Sequence, residues 1–195
     1  MIDTNLPIYL ASKSPRRKKL LKQLGIKFKS ISIDLNEEIF DGEHPIQTVK
    51  RIALHKFEHA LLRVNKGILI TADTIVVLNK KIIGKPKNKK DAFRILRMLS
   101  NKKHVVYTGY VVANLSNLKI IINYEKTFVS FNKLTDKEIK DYIDSGSPMD
   151  KAGAYGIQDD FGAVFVKRID GCYYNVVGLP LPKLYKSLME ILWID

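Results

Sequence analysis

The chain has 195 residues and a formal net charge of +13, from 33 lysines and arginines against 20 aspartates and glutamates. That length suits one domain, or one domain with two lobes, and 46% apolar residues are enough for an ordinary core. A single cysteine, Cys172, excludes an intramolecular disulfide and a cysteine-built metal site, and the most apolar run, ILITADTIVVL, is too short to span a membrane and carries Asp73.

The opening residues MIDTNLPIYLASKS have no basic segment before an apolar one, so no signal peptide is expected and the location expected is cytoplasmic. A charge of +13 points to polyanionic partners in one of two ways. A basic stripe could follow nucleic-acid phosphates, or basic residues could converge on one small phosphorylated ligand. The lysines are spread along the whole chain and mark no stripe, so the choice falls to specific sites.

In chain order, IYLA (8–11) is extended and leads to a helix with Ser14 as N-cap, Pro15 at its first position and Gly25 at its stop. FKSISID (28–34) alternates like a strand. A second helix follows Pro45, with Val49, Ile52, Ala53, Phe57, Ala60 and Leu61 at helical spacing. ILITADTIVVL (68–78) predicts a central strand, KKII its hairpin return, and DAFRILRML (91–99) a short helix. HVVYTGYVVANL and KIIINYEKTFVSF are long strands on either side of a Ser116-Asn117 turn. Thr135 and Glu138 form a capping box for a helix reaching Ser145. A glycine-rich segment, a strand over AVFVKRI (163–169) and a last helix from Pro180 complete the chain. This pattern predicts a mixed α/β sheet; the short connections mark no separable linker, so residues 1–195 are expected to be one domain with a cleft between two lobes.

Several residues could carry chemistry. In LASKSPRR (10–17) a strand enters a tight turn and a helix whose first turn holds Arg16 and Arg17. Arginines oppose the helix dipole there, and an anion bound at the helix start would offset that; the alternative is a capped surface helix with solvated arginines. Asp73 alternates with Leu69, Thr71, Ile75 and Val77 in an otherwise apolar or small run. A carboxylate there needs a pairing cation, a metal or a wet cleft, so it reads as a metal ligand or general base, against a purely structural pair with an arginine. Lys56 falls on the apolar stripe of its helix, as a buried functional group or a snorkelling side chain. Lys85 sits on the Gly84–Pro86 turn. Glu37 and Glu38 follow a strand and are either solvated loop acids or oxygen ligands for Mg²⁺. Gly153 and Gly156 in DKAGAYGIQ imply close backbone approach, and Gln158 could bond a base edge or a phosphate. No P-loop, G-x-G-x-x-G fingerprint or H-E-x-x-H pattern occurs. His55 and His59 lie one helical turn apart with no third ligand in view, so a solvated helix face is the reading for them.

LASKSPRR, TADTIVV, GKP, HVVYTG, DKAGAYGIQ and YYNVVGLPL, in this order from about Ile8 to Leu192, resemble the Maf family of nucleoside triphosphate pyrophosphatases. TADTIVV and DKAGAYGIQ are similar to the branch acting on dTTP and UTP. The resemblance implies a two-lobed, inosine-triphosphatase-like fold with a central twisted mixed sheet and an active-site cleft. It implies hydrolysis of a nucleoside triphosphate to the monophosphate and pyrophosphate with Mg²⁺ or another divalent cation (Mn²⁺, Co²⁺). Ser12, Arg16 and Arg17 match the family's phosphate-binding turn, and Glu37, Lys56, Asp73, Lys85 and Gln158 match its other polar site positions. On this pattern Asp73 is the catalytic base and a metal ligand with Glu37, and the remaining residues bind the substrate. Ser147 stands where an acidic residue is expected. The implied partners are a nucleoside triphosphate and, for some members, a second copy of the chain in a homodimer, with neither membrane nor specific nucleic acid. The competing reading is a basic regulatory protein that binds nucleic acid or a division partner. A phosphotransferase would be a third, and the missing P-loop argues against it.

Overall fold

The computed structural model describes residues 2, 4–35, 37–158 and 161–192. β1 (Ile8–Ala11) leads to a turn at Ser12, and α1 (Pro15–Gln23) begins where the Ser14 hydroxyl accepts the Arg17 N–H at 3.4 Å. Gly25 follows at φ 69°, the left-handed conformation that ends a helix without a Cβ clash. β2 (Lys29–Ile31) is shorter than the alternating run 28–34, because only three residues pair with β1. α2 (Pro45–Leu61) starts at His44, whose ring Nδ1 accepts the Ile46 N–H at 3.3 Å, a cap that the Pro45 signal alone did not reveal.

β3 (Ile68–Leu78) turns into β4 (Lys81–Ile83) through Asn79 and Lys80, both at positive φ as a two-residue hairpin turn requires. α3 (Lys89–Leu99) begins two residues before the expected Asp91, since Asn88 caps it by accepting the Asp91 N–H at 2.9 Å. β5 (Lys103–Asn114) and β6 (Lys119–Phe131) follow, then α4 (Asp136–Asp144) behind the Thr135–Glu138 capping box. The last elements are β7 (Val166–Asp170), α5 (Tyr173–Val177) and α6 (Leu181–Leu192). Two expectations change here. Residues 163–165 of the expected strand belong to a 3₁₀ segment, Phe161–Phe165, which buries the Phe165 ring edge-on against Tyr142 at 5.1 Å. The short helix α5 was not expected at all.

The strands form one seven-stranded sheet in the order β2-β1-β3-β5-β6-β7, with β4 pairing β3. β1 is parallel to β2 and β3, whereas β4 and β7 run antiparallel to β3 and β6, so the sheet is mixed as the sequence pattern predicts. By compactness the chain divides into two units made of interleaved segments. The first holds residues Met1–Asp73, Thr108–Glu125 and Gly178–Asp195; the second holds Thr74–Tyr107 and Lys126–Val177.

In the first unit, α2 lies over the sheet on a stripe of Val49, Ile52, Ala53, Phe57 and Ala60, with Ala53, Phe57 and Ala60 clustering with Ala11, Leu69, Val111 and Ala113. Gly109 allows the helix to come this close: a Cβ at that position would lie 2.4 Å from the Val49 carbonyl oxygen. The second unit packs α3 and α4 on an apolar cluster that includes Leu96, Phe131, Tyr142, Tyr155 and Phe165.

Candidate active site

The charged centre of the first unit follows from the meeting of two periodicities. Along β3, residues 69, 71 and 73 share one face, and along α2 residues 49, 53, 56 and 60 share one stripe. Leu69 belongs to the apolar cluster with Phe57 and Ala60. Two residues on, the Thr71 hydroxyl donates to the Ala53 carbonyl at 2.7 Å and fixes the helix to the strand in register. Two residues further stands Asp73. Helical side chains lean towards the N-terminus of their helix, and the Lys56 ammonium donates to Asp73 Oδ1 at 2.6 Å. The same ammonium donates to Glu37 Oε1 at 2.6 Å, so both carboxylates are within one ammonium's reach of each other. Lys56 and Asp73 are buried, at 8% and 4% exposure; Glu37 is more open.

Arg17 closes the other side. Its Nε donates to the Gly178 carbonyl and its Nη1 to the Ala72 carbonyl, both at 2.8 Å. The guanidinium therefore tethers the peptide immediately before Asp73 to the GLP turn, and it acts electrostatically on Asp73 and Glu37. Burial lowers the Arg17 pKa from its ordinary value, and the two carboxylates oppose that shift. Burial likewise raises the Asp73 pKa above the usual carboxylate range; Lys56 opposes, the nearby Glu37 charge adds to the rise, and Arg17 opposes. A carboxylate so placed is a stronger proton acceptor than one in water. Ser12 is buried, with its hydroxyl accepting the Ser14 N–H at 3.2 Å, and Arg16 is half-buried in the first turn of α1.

The structure thus brings Arg17, Glu37, Lys56 and Asp73 together within the first unit, with Ser12 and Arg16 at the turn that delivers Arg17. Lys85 and Gln158 belong to the second unit. There the Gly153 N–H donates to the Gly84 carbonyl at 3.1 Å, so the GKP turn and the DKAGAYGIQ segment are joined. Gly153 has φ 74°, and a Cβ would sit 2.9 Å from Val76 Cγ2, which accounts for glycine at that position. Lys85 is exposed and Gln158 half-buried. Beside them, the Lys151 ammonium donates to the Ser147 carbonyl, to the Ser147 hydroxyl at 3.0 Å and to Asp150 at 3.1 Å. The serine that replaces an expected acid is thereby still a lysine partner.

A family model covers all of these segments. The Maf model, described as Maf-like protein, matches residues 7–191. The chain belongs to the Maf-like family. Among its relatives, a dTTP/UTP pyrophosphatase from Carboxydothermus hydrogenoformans is 44% identical over 185 residues, 95% of this chain and 98% of that one. One from Syntrophomonas wolfei is 47% identical over 179 residues (92% and 94%), and one from Alkaliphilus metalliredigens 51% over 182 (93% and 94%). Among solved structures, a HAM1 protein from Coxiella burnetii has a TM-score of 0.49 at 14% identity, covering 95% of this chain and 99% of that one, a likeness too loose to carry an argument.

In this Maf-like chain the donor chemistry of the charged centre suits a hard divalent cation. Glu37 and Asp73 supply carboxylate oxygens at one point, and no group of three or more His, Cys, Asp and Glu that could hold a metal occurs among the described residues. Mg²⁺ is commonly held by one or two carboxylates while substrate phosphates and water complete its shell, so two carboxylates are an adequate protein share. His55 and His59 accordingly form no such group. No helix among the described residues is long and apolar enough to cross a membrane. The sequence reading missed Thr71 and Gly109 as the contacts that set α2 against the sheet. The strand alternation had placed Thr71 on the Asp73 face, which was the available signal.

Proposed function

We propose that this chain hydrolyses nucleoside triphosphates, with dTTP and UTP preferred, to the monophosphate and pyrophosphate. The observation that carries this reading is Asp73: a buried strand carboxylate held by Lys56, faced by Arg17 and set beside a second carboxylate, Glu37. The names of the relatives support the choice of dTTP and UTP.

In this reading Glu37 and Asp73 hold Mg²⁺, or Mn²⁺ or Co²⁺ in its place, and the cation supplies charge neutralisation at the phosphates. Asp73 accepts a proton from the attacking water as its oxygen forms a bond to the α-phosphorus. The bond from that phosphorus to the bridging oxygen breaks, and pyrophosphate leaves with the electron pair. Lys56 holds Asp73 and Glu37 in place and balances their charge, while Arg16, Arg17 and Ser12 bind phosphate oxygens at the start of α1. The substrate-binding roles of Lys85 and Gln158 rest on the family pattern alone.

The test is pyrophosphate release across canonical and modified triphosphates with Mg²⁺, Mn²⁺ and Co²⁺. The expected result is monophosphate and pyrophosphate in equal amounts, fastest from dTTP and UTP, with no phosphorylated acceptor. Failure to release pyrophosphate from any triphosphate overturns the reading; fastest release from a purine triphosphate overturns the base preference alone.

A further inference from the structure

The segment 37–43, between β2 and α2, carries Glu37 but has little apolar anchorage of its own. Ile39 and Phe40 are 47% and 49% exposed. Lys56 holds its first residue, Glu37, and a second side chain of α2 holds the rest at several points. The Arg51 guanidinium grips Glu43 through two parallel bonds, Nε to Oε1 at 2.8 Å and Nη2 to Oε2 at 2.6 Å. Its Nη2 also donates to the Glu38 carbonyl at 2.9 Å, and its plane lies over the Phe40 ring, 4.1 Å from the centroid. Arg51 and Glu43 are mostly shielded from solvent, at 20% and 14% side-chain exposure. Three points of the segment therefore hang on one planar fork, which a lysine could not reproduce.

We propose that Arg51 is a positioning residue that delivers Glu37 to the metal and phosphate site. It fixes the carbonyl of Glu38, the next residue along, so that the Glu37 carboxylate meets the Lys56 ammonium five residues further along the same helix. Arg51 itself touches no reacting atom. Its effect reaches the chemistry through Glu37 alone, and the inference rests on the metal role assigned to Glu37 above.

The experiment uses the full chain with Arg51→Gln, Arg51→Lys, Glu43→Gln, Glu37→Gln and the double variant Glu37→Gln/Arg51→Gln. Metal-free protein is first nicked with an endoprotease that cleaves after glutamate, and the first cut is mapped by mass spectrometry. Arg51→Gln is expected to make the segment 37–43 the first cut and to raise its rate several-fold over wild type, with Glu43→Gln doing the same. Mn²⁺ binding is then followed by the EPR signal of the free ion, in the presence of a non-hydrolysable dTTP analogue. Removing a group that orients a metal ligand typically weakens metal binding about 10- to 100-fold, and a loss in that range is expected for Arg51→Gln, less for Arg51→Lys. In the Glu37→Gln background the Arg51 substitution is expected to add nothing. Unchanged nicking, unchanged Mn²⁺ affinity, or additive effects in the double variant would each overturn the proposal while wild-type pyrophosphate release leaves the activity standing. A wild-type protein that releases no pyrophosphate would instead overturn the activity itself.

Discussion

Asp73 and His104 are both almost wholly buried, at 4% and 1% exposure, but the first is met by charges and the second by rings. In the first unit, Lys56, Arg17 and Glu37 surround Asp73, and burial pushes the Asp73 pKa up against the pull of the two cations. In the second unit, His104 stands edge-on to Phe131 at 5.0 Å and to Tyr155 at 5.4 Å, and its Nε2 shares a 2.8 Å hydrogen bond with the Tyr155 hydroxyl. Burial there lowers the His104 pKa to about 4, so the ring is neutral. Polar atoms are tolerated inside either unit, but among the described residues only the interior of the first keeps several formal charges this close together. Such an arrangement is weak as a source of stability, since desolvation largely offsets the attraction. It makes sense as a site that waits for charged ligands.

The comparison breaks most sharply at Asp73. Asp73→Asn keeps the shape and leaves an oxygen for Lys56, but it removes the proposed proton acceptor and the proposed metal-binding charge. Turnover, read as pyrophosphate release, should fall by about 10³-fold, within the range that general-base removal gives, while the melting curve stays cooperative. Turnover within a few-fold of wild type would exclude Asp73 from the chemistry. Lys56→Met asks what the charges cost without their cation. It leaves Asp73 and Glu37 facing each other without the ammonium they share, though with Arg17 still acting on them, and breaking a buried pair in this way costs about 3–5 kcal/mol. Urea denaturation should show that loss, and a divalent cation should recover part of it. Full stability without metal would mean that Asp73 is protonated in the native protein and carries no charge to balance.

Much of this was legible in the chain. Ser14, Pro15 and Gly25 bounded α1, Thr135 and Glu138 bounded α4, and ILITADTIVVL gave β3 to the residue. Asp73 and Lys56 each stood out as a charge on an apolar stripe, which is a local signal. Their meeting was not local: it depends on the Thr71–Ala53 bond, of which the strand alternation marks only the Thr71 end, and on the bare Gly109 backbone, which leaves no periodic trace. Arg17 has an added role that the sequence did not reveal. Beside the phosphate binding expected at a helix start, two of its donors go to the Ala72 and Gly178 carbonyls, 55 and 161 residues away. Residues 163–165 misled because a short continuous apolar run, Ala163-Val164-Phe165, suits a strand and a 3₁₀ turn over a buried Phe165 equally well.

The neutral interior gives a pH signature. His104 has an unfolded pKa near 6.5 and a folded value of about 4. The unfolded chain therefore takes up a proton that the native protein refuses, and stability is lost as pH falls from about 6.5 towards 4 and levels off below it. The full shift corresponds to roughly 3 kcal/mol. Asp73, shifted upward by burial, works with the opposite sign, so wild type and His104→Gln must be compared with Asp73 intact in both. The urea midpoint of wild type should fall steadily through that window, and the variant should lose most of that slope. Parallel slopes would mean that the ring is protonated without cost, despite an Nδ1 that has no hydrogen-bond partner among the described residues.

The smallest effect is expected at Thr71, and it separates register from charge. Thr71→Val keeps the branched shape inside β3 but deletes the hydroxyl that holds Ala53 at 2.7 Å. The Ala53 carbonyl sits within α2, where the helix itself can still use it, so the loss should be only about 1 kcal/mol, the usual net worth of one such bond. The consequence for function should be larger than that for stability. Lys56 lies one turn after Ala53, and a helix free to slide by a fraction of an ångström moves the ammonium shared by Glu37 and Asp73. On the proposed mechanism a several-fold drop in kcat with KM for dTTP little changed is expected, because a small shift of the ammonium misplaces Asp73, the proposed base, and misplacement of reacting groups costs rate. If kcat is unchanged while stability falls, the Gly109 contact alone sets the register, and Thr71 is simply a buried hydroxyl that has found an acceptor.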